Sequence, residues 1–249
     1  MKSKWLFLMM IAGLGACKKT STTTNSGSNT DTSVNISALA SKFSGNVTAT
    51  IDGDYMVIAS IDIPDHKSPY FYGTKWQDSL YEADTNSAYK QNPSVIEQQS
   101  ITFHIPIHPA SASTKSETPL GPIGVSLNGV PFYNQYAAMR ATLTYEKLSF
   151  DQYGGHPQQS GQYHYHVEPT SLTARHGEDA FLGLLLDGFP VYGPMEADTL
   201  VAESGLDIYH GHFSKTAEFP NGIYHYHVTS SDPYINGSGF YGTQGTVSQ

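Results

Sequence analysis

One cysteine stands in 249 residues, at position 17. A chain with a single cysteine forms no internal disulfide, and everything after position 17 lacks a thiolate to offer a metal. That excludes cysteine-rich zinc frameworks and blue-copper sites, which need a cysteine ligand. Basic residues are also few: 13 Lys and Arg face 22 Asp and Glu, for a formal charge of -9. This balance argues against nucleic acid and anionic membrane surfaces as partners. A phosphate loop, a dinucleotide fingerprint, a His-Glu-x-x-His helix and a nucleophile elbow are all missing.

Long apolar runs are missing too, apart from one near the start. Lys2 and Lys4 precede an apolar stretch over residues 5–14, and Leu14-Gly15-Ala16-Cys17 follows. The stretch is too short for a permanent membrane span and reads as a secretion signal. Its Leu-x-x-Cys end resembles the lipobox of bacterial lipoproteins. That resemblance implies lipidation of Cys17, which becomes the first mature residue and ties the protein to a membrane through its lipid. Loss of Lys2 and Lys4 with the signal leaves a mature charge of -11. Lys18, rather than Asp, follows Cys17; in a two-membrane bacterium this fits an outer-membrane lipoprotein, facing either the periplasm or the cell surface. Residues 18–33 are rich in Ser, Thr, Asn and Gly and read as a flexible tether. Residues 34–249 remain for one domain.

What is present in quantity is turn chemistry and short β-branched runs. Residues 47–51 and 55–63 flank Asp52-Gly53 and predict a β-hairpin. Residues 101–107 predict a strand, with Pro106 placing it at an edge or an end. Residues 123–127 and 181–186 are apolar runs of strand length, while residues 137–148 suit either a short helix or a strand. With 23 Gly and 14 Pro spaced through the chain, the expected fold is mainly β, a sandwich- or barrel-like domain of short strands with long loops.

The chain also repeats itself. Tyr163-His164-Tyr165-His166 returns as Tyr224-His225-Tyr226-His227. Upstream of each tetrapeptide the match continues. Asn128-Gly129 with Pro131 and Tyr133 corresponds to Asp187-Gly188 with Pro190 and Tyr192. Asp151, Tyr153 and Gly155-His156 correspond to Asp207, Tyr209 and Gly211-His212. Two units, at about 120–168 and 180–229, are therefore expected to pack about a pseudo-two-fold axis. A pair of units is a duplication rather than a solenoid.

These residues carry a family resemblance. The chain resembles the YHYH-domain proteins, through both tetrapeptides, Gly155-His156-Pro157 and the block from Leu186-Asp187-Gly188 to Gly193. Pro64 with His66, and Asn92-Pro93 with Gln98 or Gln99, resemble earlier segments of that family, so the likeness covers about 54–242. The family is defined by its sequence, and the resemblance implies no settled activity. Many members carry a Cys ahead of the Gly-Gly-His segment, where this chain has Gln152-Tyr153; any disulfide there is absent here.

In a strand, alternate residues share a face, so each tetrapeptide sends two imidazoles one way and two phenols the other. His164 and His166 with His156, and His225 and His227 with His212, each offer three imidazoles. Such a set suits Zn(II), Cu(II) or Ni(II). Copper and zinc lead as the expected metals, with iron a further choice. Asp151 and Asp207 are expected to hold a ligand's second ring nitrogen. Alternatively both strands feed one shared site, with His66 as a further ligand. A cupin's Glu three or four residues beyond His-x-His is absent, since Glu168 follows His166 by two. With a metal, water activation for hydrolysis or oxygen chemistry becomes available, with Asp151, Asp207 and Glu168 as the nearby acidic groups.

A competing reading makes the tetrapeptides scaffold and the protein a glycan- or ligand-binding module, using some of its 17 Tyr and 11 Phe. The two readings differ in geometry. A metal centre gathers the histidines into a polar pocket and turns the tyrosines into the core; a glycan groove exposes the tyrosines and disperses the histidines.

Overall fold

The computed structural model describes residues 34–249. The signal segment, the tether and Cys17 lie outside the described residues. The hairpin forms as expected from β1 (Val47–Asp52) and β2 (Tyr55–Ser60), with Asp52 paired to Tyr55 around Gly53-Asp54. β3 (Ile101–Pro106) pairs with β2, and Pro106 ends it. Its burial alternates residue by residue, which is why Phe103 and Ile105 reach the core while His104 is only partly covered.

The repeat region forms β4 (Gly124–Ser126), β5 (Pro131–Phe132), β6 (Gly155–Pro157) and β7 (Tyr163–Tyr165) from its first unit. The second unit forms β8 (Phe181–Leu185), β9 (Pro190–Tyr192), β12 (Gly211–Ser214) and β13 (Ile223–His227). Within the second unit, between β9 and β12, β10 (Met195–Glu196) and β11 (Thr199–Leu200) make a two-stranded ribbon. At the end of the chain β14 (Thr246–Ser248) returns to pair with β3. Two short helices, α1 (Gln77–Leu80) and α2 (Thr170–His176), complete the framework with several 3-10 turns. Residues 137–148 are neither of the two options expected. They run as a loop with 3-10 turns at Ala138–Arg140 and Glu146–Ser149.

Two sheets result. One has four strands in the order β1-β2-β3-β14, and the other has eight in the order β12-β13-β9-β8-β4-β5-β7-β6. The fold is thus mainly β, and neither sheet closes into a barrel. A single apolar cluster joins them: Met56, Ile58, Phe103 and Ile105 from the first sheet meet Val125, Leu184 and Val191 from the second.

Read outward from its centre, the eight-stranded sheet is the same on both sides. β4 and β8 pair antiparallel at the middle, with Val125 opposite Leu184. Those two residues are repeat equivalents, so the pseudo-two-fold axis passes through this pair. Gly124 opposite Leu185 and Gly183 opposite Ser126 are its symmetric neighbours. The glycines are required there, because a Cβ at Gly124 would lie 2.4 Å from the Leu184 carbonyl oxygen and one at Gly183 would lie 2.3 Å from that of Val125. Further out the pairing repeats as well: Phe132 lies beside Tyr165, and Val191 beside Tyr226, in parallel.

Candidate metal centres

Each site grows from one antiparallel strand pair. In the first unit His156 on β6 stands directly opposite His164 on β7; in the second, His212 on β12 stands opposite His225 on β13. His166 and His227 follow two residues later on the same face. Cross-strand pairing and the two-residue repeat therefore bring three rings together with no further device. His164 Nε2 lies 3.0 Å from Nε2 of both His156 and His166. In the second unit the central ring is His227, whose Nε2 lies 3.2 Å from that of His212 and 3.0 Å from that of His225.

The other ring nitrogens decide what these short contacts are. His164 Nδ1–H donates to the Gln162 carbonyl at 3.2 Å, and His166 Nδ1–H to that of Asn134 at 2.6 Å. His225 and His227 donate in the same way to Ile223 and Gly193, at 3.0 and 2.8 Å. For His156 the partner is Ser149 Oγ, at 2.8 Å. That hydroxyl already donates to the Glu146 carbonyl, so it accepts from His156 Nδ1–H. Each anchored ring, when neutral, then presents only a lone pair at Nε2. Lone pairs facing one another at 3.0 Å repel unless a cation lies between them.

A carboxylate approaches each trio. Glu146 Oε1 is 3.4 Å from His156 Nε2. Glu196 Oε2 is 3.4 Å from His212 Nε2, and its Oε1 is 3.9 Å from His225 Nε2. In both groups the four candidate ligand atoms lie within 4.8 Å of one another. Nitrogens bound tetrahedrally to zinc at about 2.0–2.1 Å stand about 3.4 Å apart, close to the spacing found here.

Burial favours the uncharged form of the five anchored rings. Desolvation pushes His156 down to about 3 and His166 down to about 4, and holds His164 well below the ordinary imidazole value. Desolvation also brings His225 down to about 4 and lowers His227. Burial raises the Glu146 carboxyl. For Glu196 burial acts upward, but the Ser214 hydroxyl donates to the carboxylate and the net shift is downward. Neutral imidazoles beside a carboxylate form a donor set for a divalent transition metal.

Aromatic rings wall both sites. Tyr133 stacks on His164 with centroids 3.9 Å apart, and its repeat partner Tyr192 meets His225 edge-on at 5.0 Å. Each cluster borders a surface cleft, of about 420 Å³ beside His164, His166 and Glu146. The cleft beside His225, His227 and Glu196 is about 330 Å³.

The seven histidines expected at the sites divide six to one. His156, His164 and His166 gather in one cluster and His212, His225 and His227 in another, so the geometry is two clusters rather than one shared site. His66 belongs to neither. It lies on the tyrosine side of β7, where its Nε2 accepts from the Tyr165 hydroxyl at 2.8 Å and its Nδ1–H donates to the Lys67 carbonyl at 2.9 Å. The expectation for Asp151 and Asp207 is likewise corrected. Asp151 takes the Tyr163 hydroxyl at 2.9 Å and that of Ser68 at 2.6 Å, with backbone N–H groups of its own turn. Asp207 takes the Tyr224 hydroxyl and the backbone N–H of Tyr209, both at 2.9 Å. Both aspartates lie behind the strand and orient tyrosines, because the Gly-His strand turns them away from the imidazole face.

Glu146 and Glu196 escaped the reading of the sequence. They occupy unrelated positions in the two units, one in a 3-10 turn and the other on the β10 ribbon, so no repeat register marks them. Tyr133 and Tyr192 do stand in register, and that repetition was their available signal. The tyrosines of the tetrapeptides point inward: Tyr163, Tyr165 and Tyr226 have no exposed surface. Gathered histidines with buried tyrosines meet the condition set for a metal centre, not the one for a glycan groove.

The family profile described as YHYH protein matches residues 102–205 and again 195–239. This chain belongs to the YHYH protein family. The matched residues contain both clusters and every strand of the eight-stranded sheet. Pro64, His66 and Asn92-Pro93 fall outside the match, yet they serve the first YHYH unit: His66 holds Tyr165, and Asn92 Nδ2–H donates to the Pro157 carbonyl at 3.0 Å. Neither the curated proteins nor the solved structures give a match to the chain.

The tyrosine face offers a separable test. Tyr165→Phe removes the donor to His66 and the acceptor for Asn128 Nδ2, which lies 3.3 Å away. The expected result is a loss of about 1–3 kcal/mol in unfolding free energy, measured by denaturant titration, with metal content unchanged. Loss of metal without loss of stability would reverse the assignment of the two faces.

Proposed function

We propose that this protein is an exported, lipid-anchored metal-binding protein that holds a transition ion at each YHYH unit. The ligands are His156, His164, His166 and Glu146 in the first unit, and His212, His225, His227 and Glu196 in the second. One observation carries the reading: three imidazole Nε2 atoms are drawn together in each unit, with contacts of 3.0–3.2 Å, and the five anchored rings spend their Nδ1 hydrogens on carbonyl or hydroxyl partners and so face the site with lone pairs. A cation is the group that relieves such an arrangement. Imidazole and carboxylate donors without sulfur favour Zn(II) or Cu(II). Support for export and anchoring comes from the lysines at 2 and 4, the apolar stretch and Leu14-Gly15-Ala16-Cys17. On this reading, in a two-membrane bacterium, the domain is held at the outer membrane at the end of the polar segment 18–33.

The test is elemental analysis of residues 18–249, made without a histidine tag and without a nickel column. The expected content is up to two equivalents of zinc or copper per chain. A folded protein that comes metal-free and refuses added Zn(II) and Cu(II) would end the metal reading and return the tetrapeptides to scaffold.

A further inference from the structure

The two centres are alike in ligands but not in what surrounds them, and the difference is written in the repeat. Aligning Asp151 with Asp207 places Ser149 against Gly205 and Phe150 against Leu206. In the first unit both positions act on the site. Ser149 Oγ accepts from His156 Nδ1–H at 2.8 Å. Phe150 covers the rings from outside, edge-on to His156 at 4.8 Å and stacked on His166 at 5.7 Å. Gly205 has no side chain to offer an imidazole, and Leu206 makes no aromatic cover.

The consequences fall on one ligand. The His156 side chain is 3% exposed, whereas that of His212 is 23% exposed. Among the described residues, no hydrogen bond holds His212 Nδ1, although the other five imidazoles are each held there. Both rings stand on outermost strands of the sheet, His156 on β6 and His212 on β12, but His212 has the exposed Phe213 beside it. Its carboxylate neighbour Glu196 comes from the β10 ribbon, whose partner β11 is exposed. His225 and His227, by contrast, are as buried as their counterparts.

Building on the metal reading, we propose that His212 is a detachable ligand. The first centre retains its ion, and the second exchanges its ion and opens a coordination position to ligands from solvent. The physical basis is general. A ring fixed by a second hydrogen bond stays oriented toward its metal, and loss of such a partner costs about 10–100-fold in metal affinity. Release through His212 requires one partly exposed imidazole, unheld at Nδ1, to swing away; release through His156 requires breaking the Ser149 bond and displacing Phe150. Gly205 is free to be changed, since a Cβ there meets nothing within 4 Å.

The experiment loads the full chain with Zn(II) and follows its release to excess EDTA with a chromophoric zinc indicator. Two phases are expected, one equivalent each, separated by about 10–100-fold in rate. His212→Ala should remove the fast phase and leave the slow one. The pair Gly205→Ser with Leu206→Phe should slow the fast phase, and Ser149→Gly with Phe150→Leu should quicken the slow one. These exchanges spare all eight ligands, so they still report if the alanine variant does not fold. Equal release rates for both equivalents, or a fast phase that survives His212→Ala, would overturn the proposal while leaving two metal centres standing. A chain that takes up no zinc would remove both readings, and that outcome is distinct from the others.

Discussion

Replacing His164 by alanine is expected to lower the metal content from two equivalents to one. His164 is the centre of its trio, with Nε2 at 3.0 Å from both of the other imidazoles. Without it, His156 and His166 no longer share a neighbouring donor, and the remaining set has two nitrogens and a carboxylate. The second unit keeps all its ligands and should load normally, which also shows that the variant is folded. His227→Ala is the counterpart, because His227 occupies the central place in the second trio. Metal content by mass spectrometry or atomic emission reads both. A His164→Ala protein with two equivalents would show that this imidazole is structural. Emptying of both centres by either variant would show that they are filled as a unit.

Acid should unfold the metal-free protein well before it unfolds the loaded one. His156, His166 and His225 are held near 3 to 4 by burial, and His210 is lowered to about 4 in the same way. Below about pH 6.5 an unfolded chain protonates these imidazoles while the folded chain does not, so unfolding takes up protons and stability falls with falling pH. The loss begins near 6.5 and continues through the folded values. Asp187 works the other way over part of this window. Its burial raises the carboxyl to about 6, so a cost present at neutral pH is relieved as pH falls through that value. Burial raises Asp62, Asp151 and Glu146 as well, but it also lowers His66, His164 and His227, and seven imidazoles against four carboxyls leave a net loss of several kcal/mol, at about 1.4 kcal/mol per unit for each group. That is a large share of a typical folding free energy of about 5–15 kcal/mol. A bound ion occupies the lone pairs that protons would otherwise seek, and so delays the transition. Melting temperatures from pH 7 to pH 4.5, with and without zinc, provide the check. A metal-free melting temperature that stays constant over that range would show that the imidazoles are not desolvated.

Much of this architecture is legible in the residues, for reasons that differ from place to place. The hairpin declares itself through β-branched runs around Gly53. The duplicated unit declares itself because its turns reuse Asn/Asp-Gly, with φ near +85° at both Gly129 and Gly188. The faces of β7 and β13 follow from the two-residue period of a strand. Three kinds of feature stay hidden. Carboxylates brought by non-equivalent loops, Glu146 and Glu196, have no register to betray them. The direction of Asp151 and Asp207 depends on which side of the Gly-His strand the preceding turn lies, and a five-residue spacing does not say. His66 looks like a ligand because it is a histidine in a segment that resembles the family; only its position across the sheet from the imidazole face shows that it serves Tyr165 instead.

The meeting of Val125 with Leu184 reaches beyond the chemistry of either site. Equivalent residues of the two halves face each other across the central strand pair, so one half presents an edge that is complementary to itself. An isolated half would therefore find a second copy by the same isologous contact, as in a two-fold homodimer. On this view the present polypeptide is a dimer fused into one chain. With both halves in one chain, a difference such as Ser149 in one and Gly205 in the other acts on one site and spares the other.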